Sequence, residues 1–185
     1  MTGSSDGTSA EFFDATPFLK LVIDKDGRWF QNGTEIVHPS VYRQFCAMLE
    51  PTADGGYQVR MDREVCRVEV EDAPFVILRV MEQDSGSFLL LLNDGTTEPF
   101  DPDQFWIGEH NVPYCTVKNG VFHARFSRPA YYQLASHIVQ GQNENEFFIE
   151  VEGKRVPVKK YCRHVVQAFQ PASEKKWQPR KATPQ

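Results

Sequence analysis

The chain has 185 residues, 41% of them hydrophobic and 12% aromatic, and a formal net charge of −5. That length supports one compact domain or two small ones with a buried core. The aromatic content excludes a chain disordered throughout, the composition excludes collagen-like and coiled-coil classes, and the acidic balance argues against a dominant nucleic-acid surface.

The charge is unevenly spread. Residues 154–185 hold nine Lys/Arg and a single acidic residue, which leaves eleven basic against twenty-four acidic residues in 1–153. Residues 1–16 read as a disordered leader, and they lack the basic and apolar regions of a signal peptide. The longest clean apolar run, Phe88-Leu89-Leu90-Leu91-Leu92, has the length of a strand and not of a membrane helix. The expected location is therefore the cytoplasm.

Leu19, Leu21 and Ile23 alternate with Lys20, Val22 and Asp24, a strand pattern. Asp26-Gly27 follows and suggests a type I′ hairpin into Arg28-Trp29-Phe30-Gln31. Asn32-Gly33 is a second turn, before Thr34–Val37. Pro39 opens a helix in which Val41, Tyr42, Phe45, Met48 and Leu49 share a face, and Pro51 ends it. Residues 57–93 read as one antiparallel meander, broken by Asp72-Ala73-Pro74 and by turns at 84–87 and 93–95. Residues 98–113 form an irregular, aromatic-rich connector. Tyr114–Val117, the turn Lys118-Asn119-Gly120 and Val121–His123 then start the pattern again. Ser127 caps a second helix, with Tyr131, Tyr132, Leu134, Ala135, Ile138 and Val139 at helical period and Gly141 closing it. A hairpin of Phe147–Val151 and Arg155–Val158 follows. Residues 170–185 read as a disordered basic tail.

Both halves thus run strand, Gly turn, strand, Pro-started helix, hairpin. Tyr42-Arg43-Gln44-Phe45 lies over Tyr131-Tyr132-Gln133-Leu134. The expected fold is α+β: two structural repeats, 17–97 and 114–169, each a helix packed on antiparallel hairpins or a meander, joined by the connector 98–113.

Asp26-Gly27-Arg28-Trp29 and Val68-Glu69-Val70-Glu71-Asp72-Ala73-Pro74-Phe75 resemble the bacterial family of unknown function 1285. So do Pro113-Tyr114-x-x-Val117, Ala124-Arg125 and Tyr131-Tyr132-x-Leu134. The resemblance spans roughly residues 18–158, and Glu71-Asp72-Ala73-Pro74-Phe75 is its most distinctive part. It implies an α+β fold of two structural repeats, no assigned activity, and a regulatory or signalling role. The chain departs from the family in its second helix and its basic tail.

Cys46, Cys66, Cys115 and Cys162 show no Cys-x-x-Cys spacing, so neither a disulfide framework nor a zinc knuckle is expected. Cys162 and His164 read as an ordinary strand or loop pair. His38, His110, His123, His137 and His164 lack metal-site spacing, and no phosphate-binding loop or nucleophile elbow is present. Two groups of residues carry possible chemistry. Glu69, Glu71 and Asp72 could serve acid–base work or a divalent cation, or form a solvated strand face whose last member caps a turn. Trp29, Tyr57, Trp106 and Tyr114 could line a pocket in which Arg60, Arg79 or Arg125 supplies a cation, or could be core.

The leading expectation is a non-enzymatic regulatory or binding module with a groove between its repeats. The groove takes a small anionic ligand or a protein segment through Trp29, Arg60, Glu69, Glu71, Asp72, Tyr114 and Arg125, with no catalytic residue and no cofactor. One alternative is a metal-dependent hydrolase-type enzyme using Glu69, Glu71 and Asp72. Another is an interaction protein docking through its basic tail, where Trp177 lies among Lys175, Lys176, Arg180 and Lys181. Nucleic acid is not expected on the body and stays open for the tail.

Overall fold

The structure, a computed structural model, describes residues 19–61, 64–144 and 146–160. The expected leader and tail lie outside them. Among these residues the fold is α+β, with two α-helices and three sheets.

The first sheet has six strands: β1 (Leu21–Ile23), β2 (Trp29–Gln31), β3 (Thr34–Glu35), β4 (Leu49–Pro51), β5 (Tyr57–Met61) and β6 (Glu64–Val70), in the order β3-β2-β1-β6-β5-β4. All its pairings are antiparallel except β1 with β6, which run parallel. The turn between β1 and β2 is not the two-residue type I′ turn that Asp-Gly suggests. Asp24 and Arg28 still pair through their backbones, so the loop is Lys25-Asp26-Gly27, with only Gly27 left-handed at φ 76°. This is the three-residue hairpin that ends in a left-handed glycine. The Asp24 carboxylate accepts the Asp26 and Arg28 backbone N–H groups and holds Arg28 at 2.6 Å, which fixes the loop. Asn32-Gly33, by contrast, is a true two-residue turn with both residues left-handed, joining β2 to β3.

Helix α1 (Pro39–Met48) starts at Pro39, whose ring presets the first-turn φ. It ends one residue earlier than its apolar period suggests. Leu49 is extended and begins β4, because Pro51 biases Glu50 away from the helical region. Phe45 of α1 packs on Trp29 with ring centroids 5.4 Å apart.

The second sheet has seven strands. Five come first in the chain: β7 (Phe75–Glu82), β8 (Phe88–Leu92), β9 (Thr97–Pro99), β10 (Phe105–Ile107) and β11 (Pro113–Val117). With β12 (Phe122–Phe126) and β16 (Lys159–Lys160) the order is β16-β10-β11-β12-β7-β8-β9. Residues 57–93 are therefore not one meander. Strand β6 closes the first sheet and β7 opens the second, and the chain crosses between them at Glu71-Asp72-Ala73-Pro74. The last bond of this segment to the first sheet is from the Glu71 N–H to Ile23 O, and Pro74, which has no N–H to donate, directly precedes β7. Within the connector, Phe105, Trp106 and Ile107 form a fully buried strand.

Helix α2 (Arg128–Ala135) is capped by Ser127, whose hydroxyl accepts the Ala130 N–H at 3.3 Å. It stops at Ala135, earlier than expected. Ile138 and Val139, which continue the helical period, instead form β13 (Ile138–Gln140) and pair with Ile149 and Phe148. Their β-branched side chains suit a pleated, half-buried surface. Strands β14 (Phe147–Val151) and β15 (Lys154–Pro157) complete a three-stranded sheet.

The sheets and both helices share one core. Leu21, Ile23, Trp29, Ile77, Phe105, Leu134 and Ile149 are each fully buried within it. In β8, β11 and β12 buried residues alternate with partly exposed ones. One face of the second sheet is therefore core, and the other presents Tyr114, Thr116, His123 and Arg125.

Candidate functional site

The crossing from β6 to β7 forms one wall of a cleft of about 690 Å³. Lys25, Glu71, Asp72 and Ala73 line that side, and Trp106, Tyr114, His123 and Arg125 rise from the outer face of the second sheet. Strand register accounts for the second group. Trp106 lies opposite Tyr114, and Tyr114 opposite Arg125, so three strands place three side chains in one row. His123 is two residues from Arg125 and shares its face.

Asp72 joins the two walls. Its carboxylate accepts the Tyr114 hydroxyl at 2.9 and 3.1 Å and the Arg125 Nη1 at 2.7 Å. The Asp72 and Arg125 side chains are 23% and 29% exposed, so the pair sits at the cleft surface and not in bulk solvent. Glu71 is anchored differently. Its backbone N–H donates to Ile23 O at 3.0 Å, and its Oε2 accepts the Lys25 N–H at 3.1 Å. The crossing is thus pinned to the first sheet by Glu71 and to the second by Asp72.

Trp106 floors the cleft at 8% exposure. It stacks on Tyr114 at 5.8 Å and meets the edge of His123 at 5.3 Å. Burial lowers the His123 pKa below its ordinary value, because it disfavours the charged imidazole. Residues of the loop from Gly108 to Val112 also line the cleft. Gly108 is required by close approach, since a Cβ there would lie 2.8 Å from the Tyr114 ring. His110 and Asn111 are both left-handed at φ 55° and 58°, an uncommon pair for non-glycine residues, and the loop is closed by a Gly108 N–H to Val112 O bond of 2.8 Å.

Of the seven residues singled out in the sequence, Glu71, Asp72, Tyr114 and Arg125 meet in this cleft. The other three lie elsewhere. Trp29 is fully buried under α1 and reaches no cleft. Arg60 lies on the outer face of the first sheet, 3.6 Å from Glu50. Glu69 is on the same sheet and pairs with Lys20 at 3.0 Å. The three carboxylates at 69–72 therefore share no partner: Glu69 holds Lys20, Glu71 the Lys25 N–H, and Asp72 both Tyr114 and Arg125. Among the described residues no group of three or more His, Cys, Asp or Glu is arranged to hold a metal ion. Sequence reasoning did not single out His123, Gly108 or Lys25. The period of β12 carries the signal for His123, but nothing local marks Gly108 or Lys25.

The basic segment at 154–160 is engaged locally. Arg155 pairs with Glu150 at 2.7 Å, Lys159 donates to Asp103 O at 2.6 Å, and Lys160 lies over the Phe147 ring. The remainder of the basic tail lies outside the described residues. No helix among those described is long and apolar enough to cross a membrane.

The α+β arrangement of sheets and helices occurs in solved structures. A DUF1285 family protein from Silicibacter pomeroyi DSS-3 matches with a TM-score of 0.59 and 22% identity, over 76% of this chain and 80% of that one. A DUF1285 family protein from Shewanella baltica OS155 matches with a TM-score of 0.54 and 23% identity, over 64% and 91%. No family model and no curated protein sequence matches the chain. The chain therefore has the fold of DUF1285 proteins, the same family that its sequence motifs resemble.

Proposed function

We propose that this protein is a non-enzymatic binding module with a regulatory role. Its site is the cleft at the β6–β7 crossing, and its ligand is a small molecule that presents an anionic group to Arg125. The observation that carries this reading is the Asp72–Arg125–Tyr114 arrangement. Asp72 holds one guanidinium nitrogen at 2.7 Å, which orients the planar fork beside an aromatic floor. A guanidinium held in this way recognises a carboxylate or phosphate in two-point fashion. The cleft has the size and the mixture of apolar floor and few polar groups usual for small-ligand sites.

We further propose that the fold is built from two related units. In each, a hairpin is followed by a helix and three antiparallel strands: β1-β2-α1-β4-β5-β6 and β11-β12-α2-β13-β14-β15.

Calorimetric titration of the full chain with a panel of carboxylates, nucleotides and divalent metal salts tests the binding reading. A saturable signal from a carboxylate or phosphate compound is expected. It should weaken at least about tenfold in Arg125→Lys, which keeps the charge but not the fork. Binding by none of the anions, or equal binding by the variant, would overturn it.

A further inference from the structure

Resting on that reading, we infer that the ligand is a zwitterion with a flat apolar body: an aromatic amino acid or a dipeptide that contains one. The juxtaposition of Arg125, Glu71 and the Trp106 floor carries this inference. Arg125 and Glu71 have opposite charge and face one cleft. Each is anchored by one side-chain contact and keeps further capacity. Arg125 gives Nη1 to Asp72, and the guanidinium has five N–H donors in all. Glu71 receives the Lys25 N–H on Oε2, and its Oε1 is unengaged among the described residues. The two anchors hold the groups without consuming them. They also come from adjacent residues, since Asp72 holds Arg125 and Glu71 precedes Asp72 in the chain.

A simple anion satisfies only one side of this cleft. The Arg125 charge is already matched by Asp72, so an anion alone brings a charge that Glu71, facing the same cleft, repels. Like charges in a partly desolvated site disfavour that arrangement. A ligand with both a carboxylate and an ammonium group adds no net charge. Its carboxylate meets Arg125, its ammonium meets Glu71, and both bonds are charge-assisted. Between these groups the site offers apolar surface: Trp106, Tyr114, His123, Ala73 and Val112. His123 contributes a flat ring wall against Trp106, and burial disfavours its charged form. A cleft of about 690 Å³ accommodates an aromatic side chain together with a second residue.

Calorimetry on the full chain separates the possibilities with four probes: phenylalanine, phenylalanyl-glycine, 3-phenylpropionate and phenethylamine. At least one of the two zwitterions is expected to bind about tenfold or more tighter than either half-molecule. The two zwitterions differ in the spacing of their charged groups, so the tighter one reports the distance between Glu71 and the guanidinium. In Glu71→Gln this preference should vanish, while 3-phenylpropionate binds at least as tightly as before. Because Glu71 is an exposed residue, that variant is expected to melt with the native chain, and a melting curve checks it. Equal binding of 3-phenylpropionate and the zwitterions overturns the inference and leaves the anion-binding reading standing. Binding by none of the four overturns the inference, and the wider anion panel then decides the reading beneath it.

Discussion

Asp24 and Asp72 each follow a strand of the first sheet, and each holds an arginine, at 2.6 and 2.7 Å. The two pairs differ in reach. Among the described residues the Asp24 carboxylate engages Asp26 and Arg28, so its bonds close one loop. Asp72 engages Tyr114 and Arg125 on a different sheet, and its bonds tie together parts of the chain far apart in sequence. Asp24 is also the more enclosed, with its side chain 10% exposed against 23% for Asp72. The same ion pair is thus a loop staple in one place and a wall of the cleft in the other. Residue type does not decide which; the sequence distance over which the carboxylate reaches does.

The largest effect is expected beside the loop staple. Trp29→Ala should cost about 3–5 kcal/mol, because a fully buried indole leaves a cavity under Phe45. Chemical denaturation measures it. Asp24→Ala should cost about 2 kcal/mol by stranding two part-buried backbone N–H groups. Asp72→Ala should cost about 1 kcal/mol, since water reaches its partners, yet should impair ligand binding as Asp24→Ala does not. Equal stability losses and equal binding for the two aspartate variants would break the comparison.

Two pH effects sharpen it. Burial pushes the Cys46 thiol from 9.0 up to about 12. Its contribution to stability is whole below pH 9, where folded and unfolded chains both hold the proton. It is lost as pH rises toward about 12, where the unfolded chain has released the proton first. Cys46→Ala should flatten that alkaline slope in melts taken between pH 8 and 11. The smallest effect belongs to the cleft. The His123 pKa is lowered by burial from 6.5, so its contribution is present above that value. It is lost as pH falls, because the unfolded chain takes up a proton that the folded chain resists. His123→Gln should reduce the loss of stability between pH 7 and 5; an unchanged slope would mean that the imidazole titrates freely.

Local rules made much of the fold legible. Pro39 and Ser127 mark the helix starts, and the alternation in Phe122-His123-Ala124-Arg125-Phe126 gives its two faces directly. Long-range pairing was not legible. Asp72-Ala73-Pro74 marks a break between Val70 and Phe75, but nothing there announces that the next strand joins a different sheet. The placement of Trp29 against Trp106 follows from that pairing too. Trp29 pairs with Ile23 and shares its buried face, whereas Trp106 pairs with Tyr114 beneath the cleft. The distinctive Glu71–Phe75 stretch could be read as a corner or as a site. The structure makes it the crossing between sheets, and that crossing lines the cleft.

The parallel pairings have a kinetic consequence. Leu21 pairs with Val68, and Phe75 with Ala124, so the centre of each large sheet joins residues nearly fifty positions apart. Among the described residues, Lys159 and Lys160 cover the outer edge of strand β10. Such non-local closures pay their loop entropy before any contact repays it, which slows folding. During synthesis the first sheet has all its strands once Val70 is free, whereas the second waits for β12 and then β16. Until then the Phe105-Trp106-Ile107 edge stands unpaired, an apolar template for another nascent chain. The aromatic floor that serves the cleft in the finished molecule is also the segment most in need of protection while the molecule is being made.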